Sequence, residues 1–379
     1  MHEAVVIGGG IVGSSVAYHL AKEGADVVLV DREDEGRATD AGAGILSPAT
    51  SSRTGDDAWF EFAVEGVDYY PDLVERLGAE QDGDPGYAEP GLLSVAAADA
   101  EVAAFEEAMA RIERRESDLG RPEPGSFEEV SPAEARERFP PLADDVRRAA
   151  YYENAGRVDG RLLTRAMRRA GEAHGLDVRR ADAERVRVRD GSVTGVETDG
   201  GGIDAERVVV AGGAWSPEFG DQLGVAVPVD PQRGQIAHLD AGDRDTSDWP
   251  IVSPFRGHYV VPWGDDRVVA GATRETGSGF APRLTAGGVR EVLGECLRVA
   301  PGLDDARVEE VRVGLRPVSA DRLPVLGAVP SVEGAYVATG HGATGLQLGP
   351  YSGKLVAQLV RGRDPETDLS AFGVGRFER

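Results

Sequence analysis

The sequence predicts an α/β protein whose chain weaves between a doubly wound parallel sheet and a second sheet of mixed strands. The first observation is a strand, a glycine turn, a helix and another strand within the first 31 residues. The second is a run of mostly short strands with one helix between residues 225 and 313. A chain of 379 residues suffices for roughly two to three domains. Because neither a linker nor a repeat separates the two patterns, we expect both domains to be discontinuous in sequence.

The N-terminal segment has the pattern of one βαβ unit. Residues 4–7 form a short apolar strand, and residues 14–23 have the apolar spacing of a helix that Gly24 ends. Residues 27–30 are continuously apolar, as strands buried in parallel sheets are, and the run ends at Asp31. The unit therefore predicts the start of a doubly wound sheet.

The rest of the chain alternates less regularly between helical and strand-like patterns. Helices are predicted at residues 101–115, 131–138, 161–173, 287–299 and 351–359. Strands are predicted at residues 186–189, 192–198, 207–210, 251–253, 259–262, 267–270 and 335–338.

The charge of the chain is strongly negative and its basic residues are nearly all arginine. Lys and Arg number 41 and Asp and Glu number 66, so the net charge is −25, which argues against binding nucleic acid or anionic membranes. The only lysines are Lys22 and Lys354. We interpret this acidic, lysine-poor composition as halophilic, an adaptation to a salt-rich cytoplasm. The alternative is GC-rich codon usage combined with ordinary acidity.

The sulfur and histidine content excludes several classes of site. A single cysteine, Cys296, allows no internal disulfide framework and no multi-cysteine metal site. The six histidines lack metal-ligand spacing, so no metal is predicted. The N-terminus has no signal-like pattern, and no run of 18 apolar residues occurs. The sequence therefore predicts a cytoplasmic protein without a transmembrane segment.

A glycine motif lies between the first predicted strand and helix. Gly8, Gly10 and Gly13 have the spacing G-x-G-x-x-G, which lets a backbone turn approach a pyrophosphate at a helix N-terminus. Asp31 follows Gly8 by 23 residues and can accept hydrogen bonds from a ribose. The motif predicts a bound dinucleotide and leaves FAD and NAD as alternatives.

Further blocks of sequence resemble one known superfamily in the same order along nearly the whole chain. They are TDAGAGI at 39–45, AGRVDG at 155–160, VVVAGGAWS at 208–216, GLRP at 314–317 and GHGATGL at 340–346. The chain is similar in these blocks to the FAD-dependent D-amino-acid oxidase, glycine oxidase and sarcosine oxidase superfamily. The resemblance implies a Rossmann-like FAD-binding domain plus a mixed β-sheet (α+β) substrate domain. It assigns residues 1–82, 146–222 and 318–379 to the FAD-binding domain, and residues 83–145 and 223–317 to the substrate-binding domain.

The resemblance also implies the residues that contact FAD. The FAD is expected to be noncovalent, because the cysteine that some sarcosine oxidases use has no match between Arg316 and Gly327. The implied contacts are Gly8, Gly10, Ile11, Val12, Gly13, Asp31, Arg32, Thr39, Asp40, Gly44, Ile45, Leu46, Val186, Ala211, Gly212, Trp215, Arg316, His341, Gly342, Ala343, Thr344, Gly345, Leu346 and Gln347.

The substrate site implied by the resemblance is built on Arg316. An arginine can hold a carboxylate through two parallel hydrogen bonds, and Tyr259 matches a family tyrosine that can donate to the same group. His341 is a further expected substrate contact. Arg274 either binds a polar or acidic substrate group or pairs with a neighbouring carboxylate, Glu275 or Asp265, and the sequence favours the pairing. Glycine oxidases carry a second arginine at the position of Ala343, which puts a glycine-specific site in doubt.

The implied reaction is oxidation of the C–N bond of an amino acid or N-alkyl amino acid: a D-amino acid, glycine, sarcosine or a proline-like compound. Hydride would pass from the α-carbon to flavin N5, and water would hydrolyse the imine to a 2-oxo acid. Alternatives are a 2-hydroxy-acid or polyol-phosphate dehydrogenase on the same fold, or a flavin-bearing electron-transfer subunit. The electron acceptor stays open between oxygen, a quinone and another carrier, and an oligomer is possible.

Overall fold

A computed structural model describes residues 1–53 and 57–377. Its strands are β1 (His2–Ile7), β2 (Val27–Asp31), β3 (Ile45–Leu46), β4 (Tyr87–Ala88), β5 (Leu92–Ala96), β6 (Phe127–Val130), β7 (Arg148–Tyr152), β8 (Gly156–Val158), β9 (Asp177–Arg180), β10 (Ala183–Arg189), β11 (Ser192–Thr198), β12 (Gly201–Val210), β13 (Val229–Asp240), β14 (Ile251–Pro254), β15 (Tyr259–Pro262), β16 (Arg267–Gly271), β17 (Glu275–Thr276), β18 (Arg307–Ser319), β19 (Val325–Ala328) and β20 (Ala335–Thr339). Its α-helices are α1 (Ile11–Lys22), α2 (Asp57–Asp68), α3 (Tyr70–Glu80), α4 (Val102–Leu119), α5 (Pro132–Arg138), α6 (Gly160–Ala173), α7 (Gly220–Leu223), α8 (Ala286–Val299) and α9 (Gly345–Val360).

An eight-stranded sheet has the order β10-β11-β12-β1-β2-β9, with β20 paired to β12 and β19 to β20. β1, β2, β9, β12 and β20 pair in parallel, which confirms the predicted α/β class. The loops that follow β1, β2, β12 and β20 therefore meet at one edge of the sheet. In open α/β sheets, ligands bind at that carboxyl edge.

A nine-stranded sheet has the order β17-β13-β16-β15-β14-β5-β7-β6, with β18 paired to β13. It is mixed, because β14 and β5 are parallel whereas the other pairs are antiparallel. β13 and β18 are much longer than the short strands predicted between residues 225 and 313. They pair along their whole length with one register shift, from Val229 opposite Ser319 to Asp240 opposite Arg307.

A small sheet of β3, β8 and β4 is separate from the two larger sheets. The strands of the eight-stranded sheet all come from the segments predicted for the FAD-binding domain. β7 comes from such a segment too, yet it pairs with β5 and β6 in the nine-stranded sheet. The exact domain boundaries stay a prediction.

Helices α1, α6 and α9 contribute buried side chains to one core on the eight-stranded sheet, including Leu20, Met167 and Leu355. α9 begins at Gly345, six residues before the predicted start, and continues through Pro350. Its N-terminal half is rich in glycine, which hides the helical pattern. That half lies against α1, where the Ser15 hydroxyl donates to the Pro350 carbonyl at 2.6 Å. Within the described ranges, no helix is long and apolar enough to cross a membrane.

Candidate active site

One continuous cavity runs along the carboxyl edge of the eight-stranded sheet and reaches the nine-stranded sheet. Its first part is lined by the turn after β1, the end of β2 and the loop after β12. Its other end is lined by residues of β15 and β18 and by the segment from His341 to Gln347, which includes the start of α9. The two sheets therefore contribute to one elongated site, as a dinucleotide with a substrate beside it requires.

The glycine turn has the geometry that the motif predicts. Gly8 has φ +97°, and a Cβ atom there would lie 2.5 Å from the Ala211 carbonyl oxygen. At Gly13 a Cβ atom would lie 1.9 Å from the Gly8 carbonyl oxygen, so α1 begins directly against the turn. The first turn of α1, which is described throughout, contains no acidic side chain. This end of the helix favours an anion such as a diphosphate.

Asp31 lies at the end of β2 and is buried. Its Oδ2 atom accepts hydrogen bonds from Arg37 Nη1 at 2.8 Å and Arg168 Nη2 at 2.5 Å. Oδ1 accepts one from the Glu33 backbone N–H at 3.1 Å. Arg37 and Arg168 were not predicted at the site, because neither belongs to the motif.

The part of the cavity beside the loop after β12 is lined by an aromatic and cationic pair. The Arg32 guanidinium lies 5.2 Å from the centre of the Trp215 ring and forms ion pairs with Asp34 at 2.5 Å and Asp182 at 3.3 Å. Ala211 and Gly212 complete this wall. The flat ring and the open backbone suit a planar base.

Most of the predicted cofactor residues line this cavity. They are Gly8, Gly10, Ile11, Val12, Asp31, Arg32, Thr39, Gly44, Ile45, Ala211, Gly212, Trp215, Arg316, His341, Gly342, Ala343, Thr344, Gly345, Leu346 and Gln347. Four predicted residues do not line it, and each has another contact.

Those four are Gly13, Asp40, Leu46 and Val186. Gly13 faces the Gly8 carbonyl, and the Asp40 carboxylate pairs with Arg37 at 3.0 Å. Leu46 is fully buried in the core. The Val186 backbone N–H donates to Gln222 Oε1 at 2.9 Å.

His341, just before α9, and Gln347, in its first turn, differ in whether their side-chain polar atoms have hydrogen-bond partners. The buried His341 ring makes a 3.0 Å hydrogen bond from Nε2 to Ser352 Oγ. Burial lowers its pKa to about 4, so it is neutral at pH 7. Gln347 Oε1 accepts from the Ser47 backbone N–H at 3.1 Å, whereas its buried Nε2 has no partner among the described residues. Such a buried donor requires a partner, and a flavin carbonyl suits it. The residues present therefore fit FAD.

Arg316 lies on β18 opposite Gln232 of β13. Its Nη1 donates to the Thr273 carbonyl at 2.9 Å. Burial lowers the pKa of Arg316, and the neighbouring Tyr259 opposes that shift. Burial raises the pKa of the Tyr259 hydroxyl, and the guanidinium groups of Arg316 and Arg274 oppose it. Tyr259 therefore keeps its hydroxyl proton at pH 7, and Arg316 carries the permanent charge of a guanidinium, so a cation and a hydroxyl donor line one site.

The predicted pairing of Arg274 with Glu275 or Asp265 is wrong. Glu275 Oε2 instead accepts from Arg233 Nη2 at 2.6 Å, and Arg267 is the ion-pair partner of Asp265 at 3.9 Å. Arg274 is exposed, lines the cavity and donates from Nη1 to the Gly257 carbonyl. Within the described ranges, no carboxylate forms an ion pair with Arg274 or Arg316.

Comparisons with known proteins place these features in one family. The model of the family "FAD dependent oxidoreductase" (DAO) matches residues 3–359. The chain is 42% identical to the uncharacterized oxidoreductase YurR of Bacillus subtilis (strain 168) over 98% of each chain. It is 33% identical to the glycine oxidase of Pseudomonas aeruginosa over 97% of each chain. The crystal structure of iminodiacetate oxidase from Chelativorans sp. BNC1 superposes with a TM-score of 0.92 at 39% identity, over 98% of this chain and 100% of that one. These matches agree with the geometry of the glycine turn, Asp31 and Gln347. This chain belongs to the DAO family of FAD-dependent oxidoreductases.

Proposed function

We propose that this flavoprotein oxidises the C–N bond of an amino-acid substrate that carries two carboxylates, such as an N-carboxymethyl amino acid. The observation that carries the proposal is the pair of guanidinium groups, Arg316 and Arg274, that line one cavity and form no ion pair with a carboxylate among the described residues. Two such cations beside each other are unfavourable until anions bind between them.

Arg316 is the anchor for the carboxylate next to the oxidised carbon. One of its amino groups is held by the Thr273 carbonyl at 2.9 Å, which fixes the plane of the guanidinium. Its remaining N–H donors can form the charge-assisted bonds that fix a carboxylate in position. Tyr259 supplies a further hydroxyl donor, because its raised pKa keeps the proton on the oxygen. A carboxylate held in this way would fix the orientation of the substrate's α-carbon in the cavity.

Arg274 is the anchor for the second carboxylate. Its one described hydrogen bond is to the Gly257 carbonyl, so its other donors remain available within the described structure. Arg274, Arg316 and Tyr259 line the same cavity, and the positive charge of Arg274 contributes to lowering the pKa of Arg316. An exposed arginine at the cavity wall can select a second anionic group without taking part in the reaction.

The similarity to the iminodiacetate oxidase supports this substrate class, since iminodiacetate carries two carboxylates on one amine. The glycine oxidases are also similar, at 33% identity for the Pseudomonas aeruginosa protein. Glycine oxidases carry a second arginine at the position of Ala343, and alanine has no charge. In this chain the second cation at the site is therefore Arg274.

FAD, when bound, supplies the two-electron acceptor for the α-carbon. The described residues need only bind and orient the substrate, because no side chain of the site is placed as a general base. His341 is neutral and its Nε2 is engaged with Ser352. The imine product is then hydrolysed by water to a 2-oxo acid and an amine.

A panel of substrates under anaerobic conditions tests the proposal. Loss of flavin absorbance is recorded with iminodiacetate, other N-carboxymethyl amino acids, sarcosine, glycine, D-alanine, a 2-hydroxy acid and glycerol phosphate. We expect the fastest bleaching at low concentration with the dicarboxylate amines. Bleaching by the hydroxy acid or by glycerol phosphate alone would contradict C–N oxidation. Equally efficient bleaching by sarcosine and by the dicarboxylate amines would contradict recognition of a second carboxylate.

A further inference from the structure

Arg168 lies on α6 and reaches back to the glycine turn, although it is remote from that turn in sequence. We propose that Arg168 is a positioning residue for FAD, which holds the turn and the ribose-binding Asp31 in a fixed relation. It does not line the cavity, so it acts through these two partners rather than by touching the cofactor.

The contacts of Arg168 converge on the first segment of the dinucleotide site. Its Nη2 donates to Asp31 Oδ2 at 2.5 Å and also to the Gly9 carbonyl. Its Nε donates to Ser14 Oγ at 3.2 Å, and that hydroxyl donates to the same Gly9 carbonyl at 3.1 Å. The side chain is 15% exposed. One guanidinium thus joins the turn, the first turn of α1 and the end of β2.

Gly9 explains why this arrangement is possible. Gly9 occupies a position that the G-x-G-x-x-G motif leaves variable, so the motif does not require a glycine there. A Cβ atom at Gly9 would lie 2.0 Å from Arg168 Nη2 and 2.5 Å from Asp31 Oδ2. Because Gly9 has no side chain, Arg168 and Asp31 can form their hydrogen bond in the space that a Cβ atom would occupy.

The arrangement also leaves Asp31 able to bind a ribose. Arg168 and Arg37 both occupy Oδ2, whereas Oδ1 accepts only the Glu33 backbone N–H among the described residues. A carboxylate oxygen has two acceptor sites, so Oδ1 retains one for a ribose hydroxyl. Arg168 fixes the rotation of the carboxylate that presents this site to the cavity.

The test measures FAD affinity rather than turnover. Arg168→Ala is compared with Arg165→Ala, which removes an exposed arginine of the same helix. Apo-protein is titrated with FAD and the quenching of flavin fluorescence gives Kd; the thermal shift on adding saturating FAD is recorded in parallel. We expect Kd to rise about ten- to a hundred-fold for Arg168→Ala, with a smaller thermal shift, and to stay unchanged for Arg165→Ala. An unchanged Kd for Arg168→Ala would overturn the proposal, as would an equal loss of stability with and without FAD.

Gly9→Ala gives a second, independent variant should Arg168→Ala fail to fold. The added methyl group would occupy the space in which Arg168 contacts Asp31, so this variant should raise the Kd for FAD by a similar factor. In the double variant the two effects should be less than multiplicative, because both changes disrupt one contact. Wild-type affinity in Gly9→Ala, or fully multiplicative effects, would contradict the proposed role of Arg168.

Discussion

Arg316 Nη1 donates to the main-chain carbonyl of Thr273 at 2.9 Å, and no carboxylate of the described chain pairs with this guanidinium. The Thr273 hydroxyl is engaged separately, since it donates to Glu275 Oε1 at 2.9 Å. Glu275 is in turn neutralised by Arg233 at 2.6 Å. Glu275, whose charge acts on Arg316, is thereby committed to Arg233, which supports the proposal that Arg316 binds a carboxylate of the substrate.

Replacing Arg316 tests that conclusion. Arg316→Met should lower kcat/KM about ten- to a hundred-fold for every amino-acid substrate, mainly through KM, because charge-assisted hydrogen bonds to the carboxylate are lost. Arg316→Lys keeps the positive charge but lacks the planar guanidinium, so its kcat/KM should lie between those of the wild type and Arg316→Met. FAD content, measured by absorbance after denaturation, should stay at the wild-type level. An unchanged KM in Arg316→Met would exclude the carboxylate anchor.

Replacing Arg274 should change selectivity rather than activity in general. Arg274→Met should raise KM for iminodiacetate about tenfold or more and leave KM for sarcosine within a factor of two. Steady-state kinetics with both substrates gives the two values. Arg290→Met removes another exposed arginine, outside the cavity, and serves as the charge-matched control. A parallel rise in both KM values would mean that Arg274 does not recognise the second carboxylate.

The pair of Arg233 and Glu275 is expected to matter for folding. Arg233 is buried and Glu275 partly so, and removing one partner strands a buried charge. Glu275→Ala should lower the free energy of unfolding by about 3 kcal/mol. Urea unfolding of the holoenzyme measures this change. Glu129→Ala, which breaks the exposed pair with Arg148, should have little effect; equal effects of the two variants would contradict the assignment.

Buried His238 predicts a loss of stability on mild acidification. Burial lowers its pKa to about 4, from 6.5, and neither ring nitrogen has a partner among the described residues. Between pH 6.5 and 4 the unfolded chain binds the proton and the folded chain does not. The free energy of unfolding should therefore fall as pH falls through this window, by up to about 1.4 kcal/mol per pH unit from this group.

Urea unfolding at pH 7 and pH 5 measures that dependence. His238→Gln should flatten it. An identical pH dependence in wild type and His238→Gln would show that His238 does not contribute.

Salt should stabilise the protein if the acidic composition is a halophilic adaptation. A net charge of −25 repels itself, and screening in concentrated KCl reduces that repulsion. We expect Tm to rise markedly between 0.1 and 2 M KCl. A flat or falling Tm would favour the alternative of codon usage alone.

Local patterns made the glycine turn, α1 and the strand that ends at Asp31 predictable, because these elements are adjacent in sequence. Arg168 was not predictable in this way, since only the packing of α6 against α1 brings it to Asp31. α9 was predicted too short because its glycines and Pro350 are tolerated only by tertiary packing on α1. The resemblance supplied Arg316 and Tyr259, which periodicity alone does not single out.

The prediction that Arg274 pairs with Glu275 is wrong for a simple geometric reason. Arg274 and Glu275 are neighbours in sequence, but successive side chains in an extended segment point to opposite sides. Glu275 therefore reaches Arg233 of β13, while Arg274 reaches the cavity. Sequence proximity predicted an ion pair that the strand direction prevents.

The most direct test of the account is a crystal structure of the holoenzyme with oxydiacetate, in which an ether oxygen replaces the oxidisable amine of iminodiacetate. We predict one carboxylate within hydrogen-bond distance of Arg316 and the other within hydrogen-bond distance of Arg274. A ligand that contacts Arg316 alone would contradict the second anchor. A ligand bound away from both guanidinium groups would contradict the proposed substrate site as a whole.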